Sequence, residues 1–126
     1  MFKEAIISII IVFTIVALDF ITEDYTKESV KETTSSLDEI KTNIEKNTDQ
    51  IKDSVNKTFD IWEKRYDKLA YFIEHNELEK VKTGLINMRT YVELKNFNMA
   101  ISSIEETEFV LEHIKDKNSL SLQNIF

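Results

Sequence analysis

The stretch Ala5 to Leu18 reads AIISIIIVFTIVAL: fourteen residues without a charge, ten of them Ile, Val, Leu or Phe. Everything after it is polar, charged and patterned for helices, and that contrast sets the reading of the whole chain. At about 1.5 Å per residue the fourteen cover roughly 21 Å of helix, short of a hydrocarbon core of about 30 Å. Phe2 before the run and Phe20 and Ile21 after it extend the apolar stretch across residues 1–21. The interruptions, Lys3, Glu4 and Asp19, lie near its ends, where side chains reach the headgroups. The stretch is therefore read as an N-terminal transmembrane helix.

A cleaved signal peptide and a buried helix of a soluble protein are the rival readings. The first fits poorly, because Glu4 offsets Lys3 in the n-region and no small-x-small cleavage site follows; Ile15-Val16-Ala17 has a bulky residue where a small one belongs. Lys3 and the α-amine on one side nearly balance Lys27 and Lys31 on the other, so the positive-inside count decides little. A short N-terminal tail before an early apolar run is the layout of a signal anchor. It predicts a single-pass protein of the cell membrane with its N-terminus inside and its soluble domain extracytoplasmic.

Composition bounds the remainder. The chain has 126 residues, with no Pro, one Gly and no Cys. Without the usual turn residues a β-rich domain is disfavoured. Without Cys there are no disulfides, thiolate zinc sites or thiol nucleophiles. After residue 21 there are 15 basic and 21 acidic residues, with the signs interspersed. Such a surface lacks the basic patch that nucleic acid requires, so no nucleic-acid partner is expected.

Residues 22–36 are polar with little apolar periodicity, and read as a linker or a helix extension. Ser36-Leu37-Asp38-Glu39 has the form of a capping box that would open the domain proper, residues 37–126. From there Leu37, Ile40, Ile44, Ile51, Val55, Phe59, Trp62, Tyr66, Leu69 and Ile73 follow at helical steps. The stripe is interrupted at Asn47-Thr48-Asp49. Asn47 tolerates the left-handed conformation and Thr48 can cap, so two helices broken near 48 are favoured over one helix of nearly forty residues. A second break is expected at His75–Glu79, with Asn76 and Glu79 in a capping arrangement. The next helix places Leu78, Val81, Leu85, Met88 and Val92 on one face. Gly84 inside it costs about 1 kcal/mol against Ala, which a close helix crossing would explain. After a third break at 95–98, a last helix to about 115 turns Ala100, Ile101, Ile104, Leu111 and Ile114 inward. The tail, residues 119–126, alternates apolar and polar residues and reads as an extended strap on the bundle, or as a peptide for a partner. The expected fold is all-α: a transmembrane helix, then an antiparallel bundle of three to four helices in hairpins, with an extended C-terminal tail.

Candidate chemistry is sparse. His75 and His113 each follow a Glu, and both are placed near helix C-terminal ends that an up-and-down bundle would bring to one pole. The metal-ligand candidates are therefore His75, His113, Glu74 and Glu112. The Glu-x-x-His signature of bundle metal sites and H-E-x-x-H are both missing, so the plainer reading is histidines suited by a helix dipole. Trp62, Tyr66, Phe72 and Tyr91 offer an aromatic pocket or, more simply, core. A single Gly excludes Gly-rich phosphate and dinucleotide loops. No enzyme and no cofactor are expected.

Trp62, the run Ile73-Glu74-His75-Asn76-Glu77-Leu78, the run Leu111-Glu112-His113-Ile114 and the terminus Leu120-Ser121-Leu122-Gln123-Asn124-Ile125-Phe126 resemble, in order and spacing, the family catalogued as domain of unknown function 4363. The resemblance is strongest from about Phe59 onward. It implies a small protein of the kind found in spore-forming anaerobic bacteria, with a hydrophobic N-terminal segment and a helical remainder, and it implies no known activity or site. The functional expectation is a membrane-anchored module, held by residues 1–21, that binds another protein or itself at the cell envelope. A ligand- or metal-sensing domain is the alternative.

Overall fold

A computed structural model describes the backbone of residues 1–125 and the side chains through Asn118. Among the described residues there are four α-helices and no strand: α1 Phe2–Glu45, α2 Ile51–Leu69, α3 His75–Glu93 and α4 Phe97–Ile125. Helix α1 has 44 residues, about 66 Å of rise. Its first part meets the length and composition of a membrane span, and the most apolar window has none of its residues buried against the rest of the chain.

The same helix then becomes part of the bundle without a break. Residues 22–36 are helical, and Thr26, Ser29, Val30, Thr33 and Ser36 form a buried stripe that leads into Leu37, Ile40 and Ile44. The stripe has helical period but is built mostly from hydroxyl residues, so large apolar side chains do not mark it. Helix geometry satisfies two of those hydroxyls within α1: Thr26 Oγ1 donates to the Thr22 carbonyl and Ser29 Oγ to that of Tyr25, each at 2.7 Å. Ser36 does not cap a helix. It lies within α1 and its hydroxyl pairs with that of Thr58 on α2, buried between the two helices.

The expected break near 48 is present. Asn47 takes φ 51°, its N–H donates to the Ile44 carbonyl and that of Thr48 to Asn43, both at 3.1 Å. This is a Schellman ending, in which the left-handed residue turns two amides back onto orphan carbonyls. Helix α3 ends in the same way at Lys95, φ 58°, with Lys95 N–H on Val92 O and Asn96 N–H on Tyr91 O at 3.0 and 2.8 Å. Asn96 Oδ1 then accepts from the Met99 amide at 3.4 Å, in the position of an N-cap for α4.

Two expected boundaries move. Helix α2 stops at Leu69 and α3 starts at His75 with Glu74 before it, so His75 opens a helix instead of closing one. The turn between them folds inward because Phe72 meets the ring of Tyr25 edge-on, at 6.2 Å. Helix α4 runs on as helix through Ile125, where an extended strap was expected. How the side chains of 119–126 pack, or whether they present a peptide, lies outside the described residues.

The helices are antiparallel neighbours. Glu39 pairs with Lys57 at 3.0 Å and Glu32 with Arg65 across α1 and α2. Lys41 meets Glu105 at 3.8 Å across α1 and α4, and Glu74 meets Lys117 at 3.1 Å at the foot of α3 and α4. The packing order is α2–α1–α4–α3, with extensive faces between α3 and α4, α1 and α4, and α1 and α2, but little contact between α2 and α3. The core is the expected stripe: Leu37, Ile40, Val55, Trp62, Leu69, Leu78, Val81, Leu85, Met88, Ile104 and Leu111 are all buried. Each large side chain of this kind contributes about 1.5–3 kcal/mol by leaving water. Gly84 marks the closest approach of α3 to α4: a Cβ there would lie 2.0 Å from Thr107 Oγ1.

Candidate functional site

Of the packed helix pairs, α2 and α3 make the least contact. Where α2 and α3 fail to close on each other, a groove of about 500 Å³ is lined by Phe59, Trp62 and Tyr66 from α2 and by Lys82, Ile86 and Arg89 from α3. Trp62 is only 4% exposed and forms the floor, whereas Ile86 on the wall is 38% exposed. The indole meets the Tyr66 ring edge-on at 6.4 Å, and the Arg89 guanidinium lies 4.4 Å above the Phe59 ring. That stacking holds the guanidinium across the seam while leaving its charge available. Glu63 and Asp67 stand on the α2 side, Lys82 and Arg89 on the α3 side. The result is an apolar slot with one acidic and one basic lip.

The sequence-derived aromatic set is divided. Trp62 and Tyr66 line the groove, Phe72 lies at the foot of the bundle with Tyr25, and Tyr91 is partly buried against the core. Ile86 and Arg89, which turn the aromatic stripe into a groove, carry no sequence signal of their own; their role depends on α3 standing away from α2.

The metal-ligand candidates are not gathered into a site. His75 Nε2 pairs with Glu79 at 2.9 Å on the surface of α3. Glu112 is held by Lys115 at 2.8 Å and Glu74 by Lys117 at 3.1 Å, so lysines take both carboxylates. Among the described residues no group of three His, Asp or Glu stands close enough to hold a metal ion. The buried carboxylate near this pole is Glu77, 8% exposed. Its Oε2 has no hydrogen-bond partner, and it borders a cavity of about 120 Å³ with Phe72, Ile73, Ile114 and Lys117. A space of that size and polarity suits a few water molecules.

One carboxyl is perturbed, between α1 and α4. Glu108 Oε1 is shut off from water and unpartnered. Burial, and then the neighbouring Asp38 carboxylate, push its pKa up to about 7 from an ordinary 4.5; Glu105 adds to the rise and Lys41 opposes it. Both effects disfavour the anion, so the group takes up a proton near neutral pH.

These features define a class: an antiparallel helical-bundle protein whose first helix projects an apolar segment long enough to cross a bilayer. Over residues 20–125 the chain matches the family described as domain of unknown function (DUF4363), and it belongs to that family. No curated protein and no solved structure matches the chain.

Proposed function

We propose that the protein is a membrane-anchored interaction module of the cell envelope, single-pass, with the bundle outside, and that the α2–α3 groove receives a helix of a protein partner. The observation that carries this reading is the open seam, where aromatic and aliphatic side chains from two helices form a slot that the fold itself leaves unfilled. Helix-in-groove recognition uses such a slot, with apolar anchors at helical spacing and polar lips that fix direction. The acidic lip on α2 and the basic lip on α3 select a helix whose apolar stripe is bordered by one basic and one acidic flank. Glu74, Glu112, His75 and His113 contribute nothing to this slot, and no chemistry is assigned to the groove.

The test is photocrosslinking in intact membranes. A photoreactive residue at Ile86, in the slot, is compared with one at Phe109, which is exposed on α4. Adducts that form at Ile86, not at Phe109, and are lost in a Glu63→Lys, Arg89→Glu background support the groove as the binding site. Equal adducts at both positions, or none at Ile86, refute it; an adduct of twice the chain mass identifies the partner as a second copy. Protease digestion of intact cells reads the orientation, and a shortened chain in the soluble fraction would show that residues 1–21 are removed instead of retained.

A further inference from the structure

We infer that the turn between α2 and α3 rests in the headgroup layer of the membrane that holds α1, with Tyr71 as the side chain that enters it. This rests on the reading of residues 1–21 as a bilayer anchor, and adds a second contact with the same lipid surface.

The height of the turn is fixed by α1. The apolar stretch ends at Ile21, and Tyr25 follows four residues later in the same unbroken helix, a rise of about 6 Å. The headgroup layer on each face of a bilayer is about 5–8 Å thick. Tyr25 therefore stands at the outer edge of that layer. It also holds the turn. The Tyr25 hydroxyl donates to the Arg65 carbonyl at 3.5 Å, the Phe72 ring meets it edge-on at 6.2 Å, and the Lys68 ammonium lies 5.6 Å above its ring. The end of α2 and the residues after it are thus pinned to α1 one helical turn above the apolar segment, with neither Gly nor Pro between Ile21 and Tyr25 to let the bundle swing away.

At that level the chain presents Tyr71, 89% exposed. Phe72 and Ile73 beside it pack against the core. A single exposed aromatic residue is ordinary on a soluble surface. Here its position decides, because tyrosine favours the membrane interface, ring toward the chains and hydroxyl toward water. Charge does not drive the contact. Among the ionic groups at this end, Glu23 pairs with Lys27 at 3.0 Å and Glu74 with Lys117 at 3.1 Å, and the Lys68 ammonium faces the Tyr25 ring. The surface that fits is therefore the zwitterionic headgroup layer, without a demand for anionic lipid.

The chain has no Cys, so single substitutions accept one fluorophore each. Full-length Tyr71→Cys, Ile10→Cys and Leu94→Cys proteins, each carrying an environment-sensitive fluorophore, are reconstituted in phosphatidylcholine vesicles. Quenching is read with nitroxide lipids labelled near the headgroup or deep in the acyl chain. The expected result is deep quenching at Ile10, shallow quenching at Tyr71, and none at Leu94, which lies at the opposite pole of the bundle. Quenching at Tyr71 no greater than at Leu94, with Ile10 still quenched, would overturn the inference and leave the anchor standing. An unquenched Ile10 would overturn the anchor and this contact together.

Discussion

Replacing Gly84 with Ala is expected to destabilise this protein, although the same change in an exposed helix stabilises it. Gly84 lies in the interior of α3, where Ala is better than Gly by about 1 kcal/mol on helix propensity alone. The added Cβ, however, would stand 2.0 Å from Thr107 Oγ1 and 3.2 Å from Thr107 Cβ. Thr107 cannot easily give way. It is buried, its χ1 is stiff, and its hydroxyl donates to the Ser103 carbonyl at 2.7 Å. Turning it loses that bond, about 1 kcal/mol; moving the helices apart loosens the most extensive face in the bundle. Overpacking of this kind costs about 1–3 kcal/mol. With the propensity gain set against the combined loss, a net destabilisation of about 1–2 kcal/mol is expected, or a fall of roughly 0.5–1 M in the urea midpoint. The assay uses the only tryptophan: Trp62 is buried, and its emission in mild detergent reports unfolding of the bundle. The decisive comparison is Gly84→Ala in a Thr107→Ala background. Without Oγ1 the substitution should become neutral, or stabilising by up to about 1 kcal/mol. If Gly84→Ala stabilises the unmodified chain, or costs as much with Thr107 removed, the close crossing is not the reason for this glycine.

Three further expectations use the same reporter. Glu108 binds its proton more tightly folded than unfolded, so the stability it confers is complete below its ordinary pKa of 4.5 and is lost as pH rises through about 7. The half-buried carboxyl is partly screened by water, so the loss is on the order of 1 kcal/mol; the urea midpoint should fall between about pH 5 and about pH 8, and Glu108→Gln should flatten that fall. Thr33→Val should stabilise by about 1 kcal/mol, because the buried Thr33 hydroxyl has no partner and valine keeps its shape; a lower urea midpoint would show that the hydroxyl is satisfied. Addition of Zn²⁺ or Ni²⁺ should leave the midpoint unchanged, since lysines occupy Glu74 and Glu112. A rise abolished by the His75→Ala, His113→Ala pair would instead establish a metal site.

The bundle was legible wherever large apolar residues repeat. Leu37 to Ile73 and Leu78 to Val92 supply the core residues expected of them, and Asn47 ends α1 in the left-handed conformation its chemistry allows. Gly84 was legible as a crossing because a helix interior has little other use for glycine. Residues 22–36 were harder to read because their inward face is Thr26, Ser29, Thr33 and Ser36. Serine and threonine score as loop formers when their hydroxyls compete for the backbone. Thr26 and Ser29 here return theirs to carbonyls four residues back, a bond that only the formed helix offers. His75 was placed at the wrong end of a helix because Phe72 and Ile73 continue the apolar stripe past Leu69, although their backbone has left α2. Of the groove, only the aromatic pair Trp62 and Tyr66 was legible. The groove itself is set by the distance between α2 and α3, which follows from both packing outward from the α1–α4 pair, and no local pattern in either helix encodes that distance.

The continuity of α1 gives these features a common frame. A flexible linker would have let the bundle take any attitude toward the apolar segment. Instead one helix carries both the apolar segment and a wall of the core, and each residue along it advances about 1.5 Å and 100°. The phase of the buried stripe from Thr26 onward therefore fixes which side of the bundle faces which way around the apolar segment. The pinning of the α2–α3 turn at Tyr25 fixes how far the bundle stands from the apolar segment. The groove lies between two helices antiparallel and parallel to α1, so a helix seated in it runs along the same axis as the apolar segment. Under the anchoring proposed above, a partner helix that itself emerges from the membrane beside α1 meets that geometry without bending, whereas one lying flat on the surface does not.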